Sequence, residues 1–341
     1  MPPSLSPSSS KQIPCPLCQS NSASFLLKGK DRLHGVKGEW LVYQCSECEL
    51  AFLNPIPNEE EISGFYPTHY YAYQPPSLPE MPKNIIKRLD FKIRQTRKNA
   101  YGQTLGYPTK WEPSRLTKAL VAIFPPSLDI PAYIANETLL DIGCGAGHYL
   151  LEMKEMGWKV QGLELNSHAV EAAQSAKLDV FCGSLESASF KDGQFAFIRM
   201  NDVLEHVPDP EKALSEIYRI LIPGGKLQIT LPNFDSWTFS IFREHWFPLE
   251  VPRHLYFFTP NSLTKLATKC GFAVNNLRVW SHKEVDVIPS MQYLLSEHYP
   301  RLYGVINKAI IWKLIRKLFA IPKSIANQRA KGSQMTIWLE K

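Results

Sequence analysis

Four cysteines stand in two pairs, Cys15-Pro16-Leu17-Cys18 and Cys45-Ser46-Glu47-Cys48, each with the spacing that lets two thiolates on one tight turn face the same ion. Two such turns make a closed four-sulfur set. That is the donor set of structural zinc, because a catalytic zinc keeps one position open. Cys15, Cys18, Cys45 and Cys48 are therefore the expected metal ligands, and the β-rich stretch 39–44 reads as a strand entering the second turn.

A second group is Asp141-Ile142-Gly143-Cys144-Gly145-Ala146-Gly147, at the point where a strand pattern gives way to a helix pattern. Glycines there remove Cβ atoms so that backbone can approach a ligand, and a helix start offers free N–H groups to a negative moiety. The dinucleotide fingerprint fails, since its third glycine falls on His148 and an acid, Asp141, stands two before the first glycine. A third group holds Asp202, Glu205 and His206, with His254 further on beside Trp246, Phe247, Tyr256 and Phe257. Imidazoles exchange protons near neutrality, so His206 or His254 is a candidate base; each is equally readable as a structural hydrogen-bonding group.

Elements that must position these groups follow from periodicity. From residue 138 onward, short apolar runs alternate with helical periods, which predicts a parallel sheet with crossover helices. Strands are expected at 138–142, 159–164, 179–182, 195–200, 226–231, 272–279 and 335–340. Helices are expected at 147–156, 167–176, 210–222 and 260–270. Asp209 and Thr259 are placed to cap the last two, and Pro223-Gly224-Gly225 to stop the third. The stretch 281–333 is long for a loop and should carry helices of its own.

The chain of 341 residues suits one α/β domain plus a smaller module. The expected division is a disordered Pro/Ser-rich lead-in over 1–12, a zinc-binding module over 13–60, an aromatic and Pro-rich linker with a basic helical segment over 61–130, and the main domain over 131–341. Lys and Arg exceed Asp and Glu by 38 to 32, a mild excess that does not by itself argue for nucleic acid. The basic helix within 83–98 reads as a solvated face. The crowded tyrosines 66–73 read as connector packing. A basic amphipathic pattern over 306–321 fits either a lid or a peripheral membrane contact. With no secretory pattern at Met1 and no apolar run of about 18–20 residues, a cytoplasmic location is expected, where thiols stay reduced.

The glycine turn resembles the first motif of the class I S-adenosylmethionine-dependent methyltransferases, strongly over about 136–231. The resemblance implies a Rossmann-like α/β fold with a seven-stranded sheet and helices on both faces, here beside a zinc-ribbon-like module. It also implies that Gly143, Gly145 and Gly147 line the methionine part of S-adenosylmethionine, with Asp141 holding the loop and the amino group. Glu164, closing the second strand, would accept both ribose hydroxyls, a pairing that suits one carboxylate. Ser184 and Leu185 stand where the family contacts adenine, though the family's usual acid is replaced by Ser184. Asn201 follows at the end of the fourth strand.

The spacing of Asp202, Glu205 and His206 is similar to the Glu-x-x-Glu-His of ubiquinone-pathway O-methyltransferases, which implies a possible divalent cation; the first acid here is one carbon shorter. The Asn/Asp-Pro-Pro-Tyr run of amine methylation is replaced by Asn201-Asp202-Val203-Leu204, and the Pro-Cys nucleophile of covalent cytosine chemistry is absent from this region. The expected activity is methyl transfer to oxygen of a small-molecule or saccharide acceptor, with the segment 245–258 forming acceptor pocket and lid, and with His206, His254 and Glu205 as the acid-base groups. Two alternatives stay open: an RNA methyltransferase using the cysteine module and the basic segment, and a non-catalytic S-adenosylmethionine-binding protein.

Overall fold

The computed structural model describes residues 13–66, 75–77, 80–108, 114–123, 130–281, 286–306, 311–312, 315, 318–319 and 326–341. The expected lead-in 1–12, tyrosines 70–73 and most of the basic pattern 306–321 lie outside the described residues. Those described fall into two compact units: one drawn from Met1–Tyr70, Met200–Tyr218 and Lys226–Lys341, the other from Tyr71–Arg199 and Arg219–Gly225.

The second unit contains the repeating strand-helix pattern. Strand β4 (Thr138–Ile142) is buried along nearly its whole length, as an interior parallel strand must be. It pairs in parallel with β5 (Lys159–Glu164), which pairs in parallel with β6 (Val180–Cys182). Between them run α4 (His148–Glu155) and α5 (Ser167–Ser175). Asn166 caps α5 by accepting the Ala169 N–H at 3.1 Å, and α5 turns only small side chains inward: Ala169, Val170, Ala172 and Ala173. The same unit holds α2 (Ile85–Thr104), where a basic helix was expected, and α3 (Arg115–Ile123).

Adding β7 (Phe195–Asn201), β8 (Leu221–Pro232), β10 (Ala273–Trp280) and β11 (Gln334–Glu340) gives a seven-stranded sheet in the order β10-β11-β8-β7-β4-β5-β6. It is mixed, because β11 is antiparallel to both β8 and β10. All seven expected strands are present. Boundaries otherwise agree to within a residue, but α6 (Pro210–Ile220) ends before Pro223-Gly224-Gly225, and the strand begins at Leu221 instead of Lys226. Asp209 caps α6 through the Lys212 N–H at 3.0 Å. Thr259 caps α8 (Pro260–Lys269) in a reciprocal box with Ser262.

The first unit carries a further antiparallel sheet, β1-β2-β3-β9, made of β1 (Ala23–Gly29), β2 (Trp40–Cys45), β3 (Ala51–Leu53) and β9 (Tyr256–Phe257). Phe52 pairs with Tyr256 and Ala51 with Phe257, so the cysteine-bearing segment shares a sheet with chain far downstream. Helices α1 (Glu59–Ser63), α7 (Trp237–Phe242), α9 (Val287–His298) and α10 (Pro300–Ile306) complete this unit among the described residues, and the last two meet the expectation of helices within 281–333.

Candidate functional site

The turn from β4 to α4 is held in the left-handed region at Gly143 (φ 69°), Gly145 (φ 52°) and Gly147 (φ 83°), which L side chains rarely adopt. A Cβ at Gly147 would also lie 2.5 Å from Leu178 Cδ1. Backbone N–H groups of Gly143 and Cys144 donate to the Leu163 carbonyl at 2.8 and 3.2 Å, pinning the turn to β5. Glu164, at the end of β5, accepts the Gly145 N–H through Oε2 at 2.9 Å and the Asn166 N–H through Oε1 at 2.9 Å. Each carboxylate oxygen has two lone pairs, so both retain capacity for a sugar hydroxyl.

Asp141 is buried beneath this turn, and Arg199 Nη1 donates to its Oδ1 at 3.1 Å. Burial pushes the Asp141 carboxyl up, and the guanidinium opposes that shift. Arg199 in turn lies 4.1 Å over the Tyr149 ring. Sequence reasoning missed Arg199, although a lone cation in the apolar run of β7 is a signal that a buried counter-charge must exist. Beyond β6, the Gly183 N–H donates to the Glu164 carbonyl at 3.0 Å, and Ser184 Oγ accepts the Ser187 N–H at 3.2 Å in a local turn with Leu185 buried. Thus Asp141, the three glycines, Glu164, Ser184 and Leu185 all fall in one unit; Asn201 falls in the other.

In the first unit a short 3₁₀ turn, Leu204–His206, buries Glu205 with both carboxylate oxygens lacking a hydrogen-bond partner. His254 Nε2 lies 4.0 Å from Glu205 Oε1 and 3.4 Å from Glu250 Oε2, and the His206 and His254 rings are 4.6 Å apart. Burial drives both histidines down to about 3, with each other's proximity adding for His206, and drives Glu205 well above the usual carboxylate range. Burial thus favours the uncharged form of the acid and of both imidazoles.

The expected trio Asp202, Glu205 and His206 does not form. Asp202 is exposed at positive φ (53°), its Oδ2 accepts from Asn201 Nδ2 at 2.6 Å, and its N–H donates to the Thr230 carbonyl at 2.8 Å. The groups whose donor atoms converge, all within 4.8 Å of one another, are Glu205, His206 and His254. Nor is 245–258 an open pocket in this structure. Trp246 packs on Phe234 and Phe239 at ring distances of 6.0 and 5.5 Å, and with Phe257 and Phe258 these rings are buried. A small cavity remains, whose wall includes Glu205, His254, Phe234 and Trp246.

The four cysteines are unoxidised and converge, with Cys15 Sγ 3.5 Å from Cys48 Sγ and Cys18 Sγ 3.6 Å from Cys45 Sγ. A tetrahedral ion with Zn–S bonds of about 2.3 Å sets sulfurs ~3.8 Å apart, so the set fits zinc. The two turns repeat one geometry. Gln19 and Glu49 N–H groups donate to Cys15 and Cys45 carbonyls at 2.9 and 3.0 Å, and both residues adopt positive φ, 60° and 65°. Helix α8 sends one lysine to each turn: Lys269 Nζ donates to the Leu17 carbonyl at 3.3 Å and Lys265 Nζ to the Glu47 carbonyl at 2.8 Å. Such cations suit a four-thiolate zinc centre, whose net charge is negative.

A methyltransferase-domain family model matches residues 111–277. The chain is 30% identical over 207 residues to the ubiquinone biosynthesis O-methyltransferase of Idiomarina loihiensis, covering 52% of this chain and 84% of that protein. It is 26% identical over 197 residues to the protein of the same name from Aromatoleum aromaticum, covering 53% and 84%. Among solved structures it is similar to a SAM-dependent methyltransferase of Methanosarcina mazei, with 21% identity, a TM-score of 0.42, and coverage of 61% of this chain and 94% of that chain. With the glycine turn, its buried aspartate and the acid closing β5 in place beside these relationships, the chain belongs to the S-adenosylmethionine-dependent methyltransferases.

Proposed function

We propose that the chain methylates a hydroxyl oxygen of a small-molecule or saccharide acceptor, and that His206 and His254 are its proton acceptors. The observation that carries this reading is the convergence of His206 and His254 on Glu205, with all their donor atoms within 4.8 Å of one another. Nδ1 of His254 lies 2.8 Å from the Pro248 carbonyl and Nδ1 of His206 lies 3.0 Å from the Arg253 carbonyl. A carbonyl only accepts, so Nδ1 of His254 carries the proton and its Nε2 keeps a lone pair, and the Arg253 carbonyl favours the same tautomer of His206, whose Nδ1 also has the Tyr66 hydroxyl at 3.1 Å. The relatives at 30% and 26% identity, both ubiquinone biosynthesis O-methyltransferases, support oxygen as the methylated atom.

S-adenosylmethionine supplies an activated methyl group, so the residues have to bind, orient and remove a proton. In this reading Gly143, Gly145 and Gly147 cradle the amino-acid part and Asp141 its ammonium. Glu164 takes the ribose, Leu185 and Ser184 lie toward the base, and Asn201 orients the groups nearest the methyl. Glu205, His206 and His254 would alternatively hold a divalent cation, with the carboxylate ionised on binding and the imidazoles acting as ligands in place of bases, and such an ion would polarise the acceptor hydroxyl. Zinc at Cys15, Cys18, Cys45 and Cys48 is structural. Among the described residues no helix is long and apolar enough to cross a membrane.

Release of S-adenosylhomocysteine, followed with a panel of phenolic and sugar hydroxyl acceptors, tests the assignment. Turnover of one such acceptor, lowered at least a hundredfold in His206→Ala or His254→Ala, is the expected result. Full turnover in both variants would remove the histidines from the mechanism.

A further inference from the structure

The cysteine-bearing segment reaches the histidine pair through a buried ion pair. Asp31, in the loop between β1 and β2, accepts from Arg253 Nη1 at 3.0 Å and Nη2 at 2.9 Å, a planar two-point fork. Both side chains are essentially inaccessible, 1% for Arg253 and 0% for Asp31. Asp31 is itself fixed, because it also accepts the N–H groups of Leu33, His34 and Val36 at 3.1, 3.1 and 3.0 Å. Arg253 is anchored at its other end, with Nε 3.3 Å from Glu250 Oε1 and its backbone N–H on the Glu250 carbonyl at 3.0 Å.

The main chain of Arg253 is what His206 reads. Its carbonyl lies 3.0 Å from His206 Nδ1, and the Tyr66 hydroxyl, also from the N-terminal segment, lies 3.1 Å from the same nitrogen. The groups facing His206 are therefore Tyr66, His254, Arg253 and Glu250, and those facing His254 add Glu205. A guanidinium fork has one orientation relative to its carboxylate, so holding the side chain of Arg253 constrains where its carbonyl points. The carbonyl can only accept, so its position favours the proton on Nδ1 and the lone pair on Nε2, with the Tyr66 hydroxyl able to donate or accept at the same nitrogen.

We propose that Asp31 is a positioning residue for the histidine pair, acting through Arg253 to hold His206 in the tautomer that leaves Nε2 unprotonated. This rests on the reading of His206 and His254 as proton acceptors. It gives the N-terminal segment a role in the chemistry beyond carrying zinc.

The test is long-range proton-nitrogen correlation of the full-length protein labelled with ¹⁵N-histidine, at one neutral pH, for wild type, Asp31→Asn and Arg253→Lys. Lysine keeps the charge but cannot form the fork. Wild type should show His206 as the Nδ1–H tautomer alone. Both variants should show a mixture of tautomers for His206, while affinity for S-adenosylmethionine by calorimetry stays within twofold. An unchanged His206 tautomer in either folded variant overturns the proposal. So does loss of S-adenosylmethionine binding in both variants, which would make the pair a folding element only. Should the tautomer mix as expected while His206→Asn and His254→Ala still turn over acceptor, the positioning stands and the assigned catalytic role falls.

Discussion

Glu164 accepts the backbone N–H of Gly145 at 2.9 Å, so the acid expected to grip a sugar also holds the turn expected to cradle an amino acid. In the proposed reading one carboxylate thus couples two parts of a single ligand site. Its removal should cost more than two sugar hydrogen bonds, because the turn loses one of its three hydrogen bonds to β5 as well.

Glu164→Ala should weaken S-adenosylmethionine binding by a hundredfold or more, from about 1.5–3 kcal/mol for each charge-assisted hydrogen bond lost. Glu164→Gln should fall between, since its amide oxygen still accepts one backbone N–H but its amide nitrogen faces the other. Calorimetric titration measures both. Gly145→Arg should abolish binding, because the residue sits at positive φ where L side chains rarely go. Unchanged affinity in Glu164→Ala would sever the carboxylate from the cofactor.

Arg199→Met removes the cation that opposes the burial of Asp141, and breaking such a pair costs roughly 3–5 kcal/mol as an upper bound, since Arg199 keeps 20% side-chain exposure. The pH dependence has a definite sign. A buried acid whose folded pKa is raised binds protons more tightly folded than unfolded, so stability is lost as pH rises from the unfolded value toward the folded one. Urea denaturation should therefore show a larger deficit for Arg199→Met against wild type at pH 8 than at pH 5. An equal deficit at both would mean that Asp141 does not titrate in the variant.

Asp31 behaves in the opposite sense. Burial works against its charge, but Arg253 and the His34 and Val36 amides overcome that and hold it down, from 3.8 to about 2. A depressed acid contributes stability that is present above the unfolded value and lost as pH falls through the folded one, here between about 4 and 2. The contribution is roughly 2 kcal/mol at neutral pH. Asp31→Asn should be destabilised by more than this at pH 7, because Arg253 is left buried and unpaired, and its deficit should shrink as pH drops toward 2. Denaturation midpoints across that range supply the check.

Metal analysis of protein prepared without chelator should return one zinc per chain, and Cys48→Ser should lose it together with several degrees of Tm. Lys265→Met with Lys269→Met should keep the four thiols but surrender zinc to a chelator faster than wild type, since both lysines neutralise the turns they cap. Equal release rates would limit the two lysines to a packing role.

Much of the local architecture is written in nearest-neighbour sterics. The boundaries of β4 and β5, the caps at Asp209 and Thr259, and the left-handed glycines of the β4–α4 turn all follow from contacts within a few residues, which sequence spacing encodes directly. The paired cysteine turns belong to the same class. What spacing could not reveal are partners that meet only after the chain has folded. Arg199 reaching Asp141, Phe52 pairing with Tyr256, Asp31 forking onto Arg253, and His254 replacing Asp202 beside Glu205 are such meetings. Each is a burial problem solved across long sequence separation. A charge or polar group taken from water must find its complement wherever packing delivers one, and that choice is made in three dimensions.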